Sequence, residues 1–233
     1  MGRNTKLNDR SNWLPELYDF TTLLSENNTR PWLAAHREQY DCLRSKWLED
    51  LNRLLCLMSQ WEPGLTGLTA NRVTHRFARD TRFSSDKTPY KIFFSASISV
   101  HGKDAPYTGY YLHIGSPVLA DNGCYGGIYC PPSPVIAKLR HAIVDNIEEF
   151  EEIISLPDIK KYYPDWVGEK LNTAPKGWPR DHKNIELLRL KDIGKFSPLS
   201  LSQLTSGDWV ELVNERFRMI KPLNDFIDYS IDE

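Results

Sequence analysis

Apolar residues recur every three or four positions near the start of the chain, which is the spacing of an amphipathic helix. The pattern from about Leu14 to Ser25 predicts a first helix. A longer helix is predicted from Pro31, a residue favoured at the first helical position, to a stop near Pro63. The apolar stripe of this second helix is expected to face the core.

Two further amphipathic stretches lie in the second half of the chain. One opens at Ser133, a predicted N-cap, and ends at Leu156. The other runs from Asp208 to about Tyr229, and its Pro222 predicts a kink or a division. Between them, residues 157–204 hold five prolines, which exclude a long helix. We expect this segment to wrap around the domain without forming one of its own.

The apolar period changes to two in the middle of the chain, as in a β-strand. The clearest strand runs from Ile92 to Val100, and the next from Gly109 to Ile114. Tyr125 to Tyr129 predicts a third strand and Asn71 to Arg79 a further one at the start. The short connections between them predict antiparallel pairing.

These elements predict an α+β fold with a central antiparallel sheet of about four strands, packed by the N-terminal and C-terminal helices. The 233 residues, 40% of them hydrophobic, are enough for a packed core. We expect a single domain over residues 1–233, with the first twelve residues flexible.

Composition narrows the classes of partner. The net charge of −2 and the isoelectric point near 6.3 argue against a surface that tracks nucleic acid. No apolar run approaches the roughly 18 residues that span a membrane, and the first residues do not resemble a signal peptide. We therefore expect a cytoplasmic protein that does not associate with membranes. Its cysteines form no C-x-x-C pair and are expected to be reduced and buried: Cys42, Cys56, Cys124 and Cys130.

A charged segment precedes the clearest strand. From Arg76 to Lys91 five cations and two anions give a local charge of +3. The basic side chains suit a phosphate or carboxylate, and the candidate ligand-binding residues are Arg79, Arg82, Lys87 and Lys91. The structural alternative is that Asp80 and Asp86 pair with these cations and hold a long turn against the sheet.

The strands supply further candidates. Ser95, Ser97 and Ser99 alternate with apolar residues and either line a pocket or form a solvated sheet face. On the next strand, Tyr111 is a ligand-binding candidate and His113 is the best candidate for acid–base catalysis, with a structural histidine as the alternative.

Three further residues complete the candidate site. Tyr90 lies near the end of the charged segment, while Lys176 and Trp178 belong to a second charged turn that ends at His182. This second turn either closes over the first or is an ordered loop anchored by Trp178. We expect a phosphate-bearing molecule to bind between the two turns, where tyrosine and tryptophan rings offer flat surfaces.

Motifs for other chemistry are absent. The chain has no G-x-S-x-G, no phosphate-binding or dinucleotide-binding glycine motif, and no metal-ligand spacing among its six histidines. The sequence therefore leaves any cofactor unknown, and it disfavours an enzyme built on a metal site or a nucleotide-binding loop.

Several motifs together resemble a known family. The longest is the R-D-T-R-F-S-x-D-K-T-P-Y-K motif of residues 79–91; others are N-N-x-R-x-W at 27–32, G-Y-Y-L at 109–112, G-G-I-Y-x-P at 126–131 and P-K-G-W-x-x-D-H at 175–182. The chain resembles the domain-of-unknown-function 2461 family across most of its length. Trp178 stands where this family more often has Phe. The resemblance implies a shared α+β domain and no established activity.

Two hypotheses about function follow. The first is a soluble domain, either an enzyme or a binder, that takes an anionic small molecule at the basic segment. The second is a non-catalytic protein-interaction module whose charged turn is held by structural salt bridges.

Overall fold

Five antiparallel strands form one open sheet in the computed structural model, which describes residues 12–116 and 121–233. The strands are β1 (Phe93–Ile98), β2 (Gly109–Gly115), β3 (Gly123–Ile128), β4 (Asp165–Trp166) and β5 (Ile193–Pro198). Their order across the sheet is β1-β2-β3-β5-β4. The predicted α+β class is confirmed, with five strands where the sequence indicated about four.

Helices precede and follow the first three strands. The helices before β1 are α1 (Leu14–Glu26), α2 (Arg30–Ala35), α3 (Arg37–Met58) and α4 (Ala70–Val73). Those after β3 are α5 (Ser133–Asp145), α6 (Ile147–Ser155), α7 (Pro157–Tyr162), α8 (Ile185–Leu188), α9 (Leu201–Thr205) and α10 (Trp209–Asp232). Among the described residues, no helix combines the length and apolar character needed to cross a membrane.

The two long helices α3 and α10 cover one face of the sheet. The Trp47 ring of α3 lies 5.8 Å from the Phe94 ring of β1, and the Phe217 ring of α10 lies 5.2 Å from the Tyr110 ring of β2. Trp47 and Phe217 are almost fully buried, and each buried side chain of this size stabilises the fold by about 1.5–3 kcal/mol. The core therefore sits between the helices and one sheet face.

Three predicted helices differ in detail. The long stripe that begins at Pro31 is divided at His36, whose ring stacks on Trp32 at 3.9 Å and whose φ of −110° departs from helical geometry. The third stretch has Pro132 as its N-cap and Ser133 as its first helical residue, so the predicted cap at Ser133 is wrong by one position, and the stretch is divided at Asn146. In contrast, α10 is one continuous helix through Pro222, so the predicted division at this proline is wrong.

The predicted strand over Asn71–Arg79 is wrong. Its first residues belong to α4, and only isolated bridges follow, Thr74 with Ala96 and Ala78 with Tyr90. Strand β5 was not predicted, because its helix-facing residues are Ile193, Lys195 and Ser197 and show no apolar alternation.

The start of the chain and the cysteines were also the subject of predictions. The first twelve residues were expected to be flexible; of these, all but Asn12 lie outside the described residues. The thiols are free as expected, but only Cys124 is buried, while Cys42, Cys56 and Cys130 lie on exposed surfaces.

Candidate ligand cleft

The sheet face opposite α3 and α10, called here the open face, carries polar and aromatic side chains. Residues paired across antiparallel strands point to the same face. The register places Ser95 opposite His113, Ser97 opposite Tyr111, and Tyr125 opposite both Tyr111 and Phe196. The alternation of β1 is therefore confirmed, with its serines on the face away from the helices.

A cleft of about 720 Å³ lies on this open face. Ser95 and Ser97 of β1 and Ser99, which follows the strand, line it together with residues of β2, β3 and β5. One wall comes from the segment before β1 and a second from the loop between β1 and β2; the lining residues of these walls include His75, Lys91, Gly102, Lys103 and Tyr107. A volume of this size matches the pockets that hold small molecules.

Glycines allow flat rings to lie close to the sheet. A Cβ atom on Gly194 would lie 2.1 Å from the hydroxyl oxygen of Tyr125, and one on Gly123 would lie 2.2 Å from Cζ of Phe196. The rings of Tyr125 and Phe196 therefore lie over neighbouring glycines. The result is a shallow aromatic floor on which a ligand ring can stack.

Two polar atoms beside this floor lack hydrogen-bond partners among the described residues. They are the hydroxyl oxygens of Ser95 and Tyr125, and both residues are more than nine-tenths buried. Burial raises the pKa of Tyr111, and the neighbouring Ser95 hydroxyl opposes this rise. Unpartnered buried hydroxyls are costly, and a bound ligand or water would satisfy them.

Ser97 of β1 and Ser99, just after it, have different partners. Ser97 Oγ lies 2.8 Å from Nε2 of His75. Ser99 Oγ donates to the carbonyl of Thr108 at 2.8 Å. His75 is itself positioned by its backbone N–H, which donates to the Ser95 carbonyl at 2.8 Å. Ser95, Ser97 and Ser99 thus line the cleft in three distinct chemical settings.

Two lysines give the cleft positive charge. Lys91 and Lys103 line it together with one acidic residue, Asp121. Within the described part of the chain, neither lysine forms a salt bridge. Burial lowers the pKa of Lys91, and the nearby Arg76 lowers it further. An anion beside Lys91 would relieve both effects.

The predicted catalytic candidate His113 also lines the cleft. Its ring stacks on that of Phe196, with centroids 5.9 Å apart and planes at 19°. Burial lowers the pKa of His113 to about 4, with a small opposing effect of Asp121. His113 is therefore neutral at pH 7 and able to donate or accept a hydrogen bond.

The charged turn, residues 79–91, is held mainly by contacts of its own. Arg79 pairs with Asp86 and also bonds the Thr88 hydroxyl, while Arg82 pairs with Asp80 at 2.7 Å. The Arg79 contact and two bonds from Thr88 lower the pKa of Asp86 to about 2.

The remaining residues of the turn also have partners nearby. Lys87 Nζ donates to the Thr81 carbonyl at 2.9 Å. The Tyr90 ring stacks on Phe77, and its backbone bonds the side chain of Asn28. These contacts fit the structural alternative for the turn, and only Lys91 of its basic residues lines the cleft.

The second charged turn does not reach the cleft. The Trp178 ring lies 4.9 Å from the His141 ring on α5 and 5.2 Å from that of His182. Lys176 is exposed in the same loop. Trp178 thus anchors this loop against α5, and neither residue lines the cleft.

Sequence reasoning named Lys91, Tyr111 and His113 as site residues and left the three serines as either a pocket wall or a solvated face; all six line the cleft. It missed His75, Lys103, Tyr125 and Phe196 as site residues. A signal for Tyr125 was present, since it starts a predicted strand next to Gly126. Phe196 gave no such signal because β5 was not recognised.

The described residues contain no cluster of three or more His, Cys, Asp or Glu side chains arranged to hold a metal ion. Comparisons with curated proteins and with solved structures returned no match. The family model described as "Conserved hypothetical protein (DUF2461)" matches residues 16–226, and the chain therefore belongs to this family.

Proposed function

We propose that the protein binds a small anionic molecule, such as one that bears a phosphate or carboxylate, in the cleft on the open face of the sheet. The observation that carries the proposal is the pair of buried, unpartnered hydroxyls on Ser95 and Tyr125, two residues that line the cleft. Lys91 supplies a positive charge at the same site. A ligand oxygen that bonds these groups compensates for their burial.

The aromatic floor supports a ligand that also carries a flat ring. Tyr111, Tyr125 and Phe196 line the cleft from three adjacent strands. Ring stacking contributes about 0.5–1.5 kcal/mol beyond the burial of area. A nucleoside monophosphate combines a ring with an anion and is a suitable first probe.

Thermal unfolding tests the proposal with inorganic phosphate, benzoate and adenosine monophosphate as probes. A ligand that binds only the folded state stabilises it, by about 2.7 kcal/mol at one hundred times its Kd. We expect at least one probe to raise the Tm of the wild type. Lys91→Gln should reduce that rise, and Ser95→Ala should reduce it as well.

Lys87 provides the matched control, because it is a lysine of the same charged turn that bonds Thr81 and does not line the cleft. Lys87→Gln should keep the full ligand-induced shift. The combined Arg79→Gln and Arg82→Gln variant should keep it too. Loss of the shift in that double variant, with Lys91→Gln unaffected, would move the anion site from the cleft to the charged turn.

A second candidate function rests on Phe83, which stands 96% exposed at the tip of the charged turn. Its ring is flanked by Arg82, whose guanidinium carbon lies 5.9 Å from the ring centroid. A turn that is held by its own salt bridges and presents an exposed aromatic ring suits a protein-interaction module. In that case Phe83→Ser abolishes capture of a partner by the purified protein and leaves all ligand-induced shifts unchanged.

A further inference from the structure

The contact between Ser97 and His75 sets this serine apart from its neighbours on β1. Ser97 Oγ and His75 Nε2 are 2.8 Å apart, within the range for proton transfer between a nucleophile and its base. Ser99, in contrast, bonds a backbone carbonyl. Both Ser97 and His75 line the cleft, so a bound molecule has access to the pair.

We propose that Ser97 and His75 form a nucleophile–base pair that hydrolyses a carboxylic ester bearing an additional anionic group. The proposal rests on the proposed function, because the anionic group is held by the same cleft. It adds a reaction and a substrate class to that binding site.

The reaction proceeds in two balanced halves. Ser97 Oγ attacks the ester carbonyl carbon and gives its proton to His75 Nε2; the C–O bond to the alcohol breaks, and His75 returns the proton to the departing oxygen. Water then attacks the acyl carbon and gives a proton to His75. The bond from the acyl carbon to Ser97 Oγ breaks, and this oxygen takes the proton back, which releases the acid.

Backbone contacts hold the pair in place. The segment that carries His75 runs beside β1. Two contacts hold it there: the Thr74–Ala96 bridge and the hydrogen bond from the His75 N–H to the Ser95 carbonyl. Ser97 lies within the same strand, paired with Tyr111 of β2. A nucleophile and a base on adjacent extended segments keep their separation, which favours reaction.

The charges around His75 suit the role of a base. Burial lowers the pKa of His75, the positive charges of Lys91 and Lys103 lower it further, and Asp104 opposes this effect. The imidazole is therefore neutral near pH 7, and with its proton on Nδ1 it accepts the Ser97 proton at Nε2. The same lysine charges favour the negative charge that develops on the carbonyl oxygen.

The first experiment uses a fluorophosphonate probe on the wild-type protein, followed by peptide mass spectrometry. Ser97 Oγ attacks phosphorus, fluoride leaves, and the adduct stays on the serine. We expect one adduct, on Ser97, and a loss of labelling rate on the order of 100-fold in His75→Gln. Ser85→Ala, which changes an exposed serine of the charged turn, should label at the wild-type rate.

Mapping the adduct on the wild type needs no variant, so misfolding of Ser97→Ala leaves the test intact. An adduct on another residue, or no adduct, overturns the nucleophile assignment. Equal labelling rates in the wild type and a folded His75→Gln variant overturn the base assignment.

The second experiment tests the substrate class with mono-4-nitrophenyl succinate, which is anionic, and 4-nitrophenyl acetate, which is neutral. We expect a higher kcat/KM for the anionic ester, and Lys91→Gln should reduce this preference at least about tenfold. Equal kcat/KM for the two esters would contradict the proposed anionic substrate.

The thermal-shift experiment separates the two proposals. If phosphate, benzoate or adenosine monophosphate still raises the Tm while Ser97 does not label, the cleft binds anions without this chemistry. If no probe shifts the Tm and Ser97 labels, the nucleophile is present and the anion-binding proposal fails.

Discussion

His113 shows at the residue scale how burial couples a single side chain to stability. Its ring is packed between the rings of Phe93, Tyr111 and Phe196, and burial lowers its pKa to about 4. Histidine in the unfolded chain has a pKa of about 6.5, so the unfolded state takes up the proton first as the pH falls. The packing that positions His113 in the cleft therefore makes the fold sensitive to acid.

We predict that the free energy of unfolding falls as the pH is lowered from about 6.5 to about 4, by up to about 1.4 kcal/mol for each pH unit from His113 alone. Urea unfolding at pH 7, 6 and 5 measures this slope. His113→Gln should flatten it, whereas His141→Gln, on the exposed surface of α5, should not. His75 acts in the same direction, so part of the slope remains in His113→Gln. An unchanged slope in that variant would show that His113 is not buried as a neutral ring.

The site residues illustrate which parts of a cleft a sequence reveals. The alternation of β1 predicted Ser95 and Ser97 on one face, because a strand fixes the side of each residue. His75 lies 22 positions from Ser97, and the segment that carries it forms only an isolated bridge to β1. A contact between separate segments leaves no periodic signal, so the partner of Ser97 came only from the structure.

At the scale of elements, the contact of α10 with β3 depends on the absence of a side chain at Gly126. A Cβ atom there would lie 2.4 Å from Cγ2 of Ile220, which is fully buried. In the sequence, Gly126–Gly127 allows either a close backbone approach or a bulge; in the structure, a helix side chain occupies the space beside Gly126. Helix α10 therefore packs closely against β3 at Gly126.

We predict that Gly126→Ala destabilises the protein by about 1–3 kcal/mol, because Ile220 has to leave its position in the core. The change in the free energy of unfolding is measured by urea denaturation. Gly207→Ala is the control, since a Cβ there meets nothing within 4 Å, and we expect a change below about 0.5 kcal/mol. Similar losses in both variants would point to backbone effects and not to the Ile220 contact.

The start of α10 is fixed by Asp208. Its side chain accepts from the backbone N–H groups of Val210 and Glu211 and pairs with Arg53 of α3. The apolar period predicted a helix that starts at Asp208, and this start is confirmed. Strand β5 was not predicted, because the neighbours of a strand decide its burial.

We predict that Asp208→Ala costs about 0.5–2 kcal/mol, the usual effect of removing an N-cap. Asp225→Ala is the control, because Asp225 is an exposed acid within α10 that pairs with Lys221 and caps no helix. The free energy of unfolding, measured by urea denaturation, should be clearly lower for Asp208→Ala than for Asp225→Ala. A loss no larger than that of Asp225→Ala would mean that the cap bonds are replaced by water without cost.

For the molecule as a whole, one hydrophobic cluster joins the first helix, the sheet and the last helix. The α+β class followed from the order of periodic segments, since neither amphipathic helices nor a one-sided sheet can bury its apolar face alone. The open face was not predictable in the same way. Its cleft depends on the loop between β1 and β2, whose position is set by contacts with residues far along the chain.

That loop is tied to the end of α10 by Asp228. The Asp228 carboxylate accepts from the backbone N–H of Thr108 at 2.8 Å and from its hydroxyl at 2.7 Å. Thr108 is buried and, with Lys103 and Tyr107, lines the cleft. The helical layer on one face of the sheet therefore holds a wall of the cleft on the other.

We predict that Asp228→Ala loosens this wall. The buried Thr108 loses its acceptor, which costs about 1–3 kcal/mol in the free energy of unfolding. Amide hydrogen exchange of residues 99–108 should accelerate more than that of α3, and any ligand-induced rise in Tm should shrink because the wall is no longer held. Glu215→Ala, an exposed acidic position on the same helix, should change neither exchange nor binding. If the loop keeps its protection in Asp228→Ala, its position is set within the sheet, and the two faces of the molecule are independent.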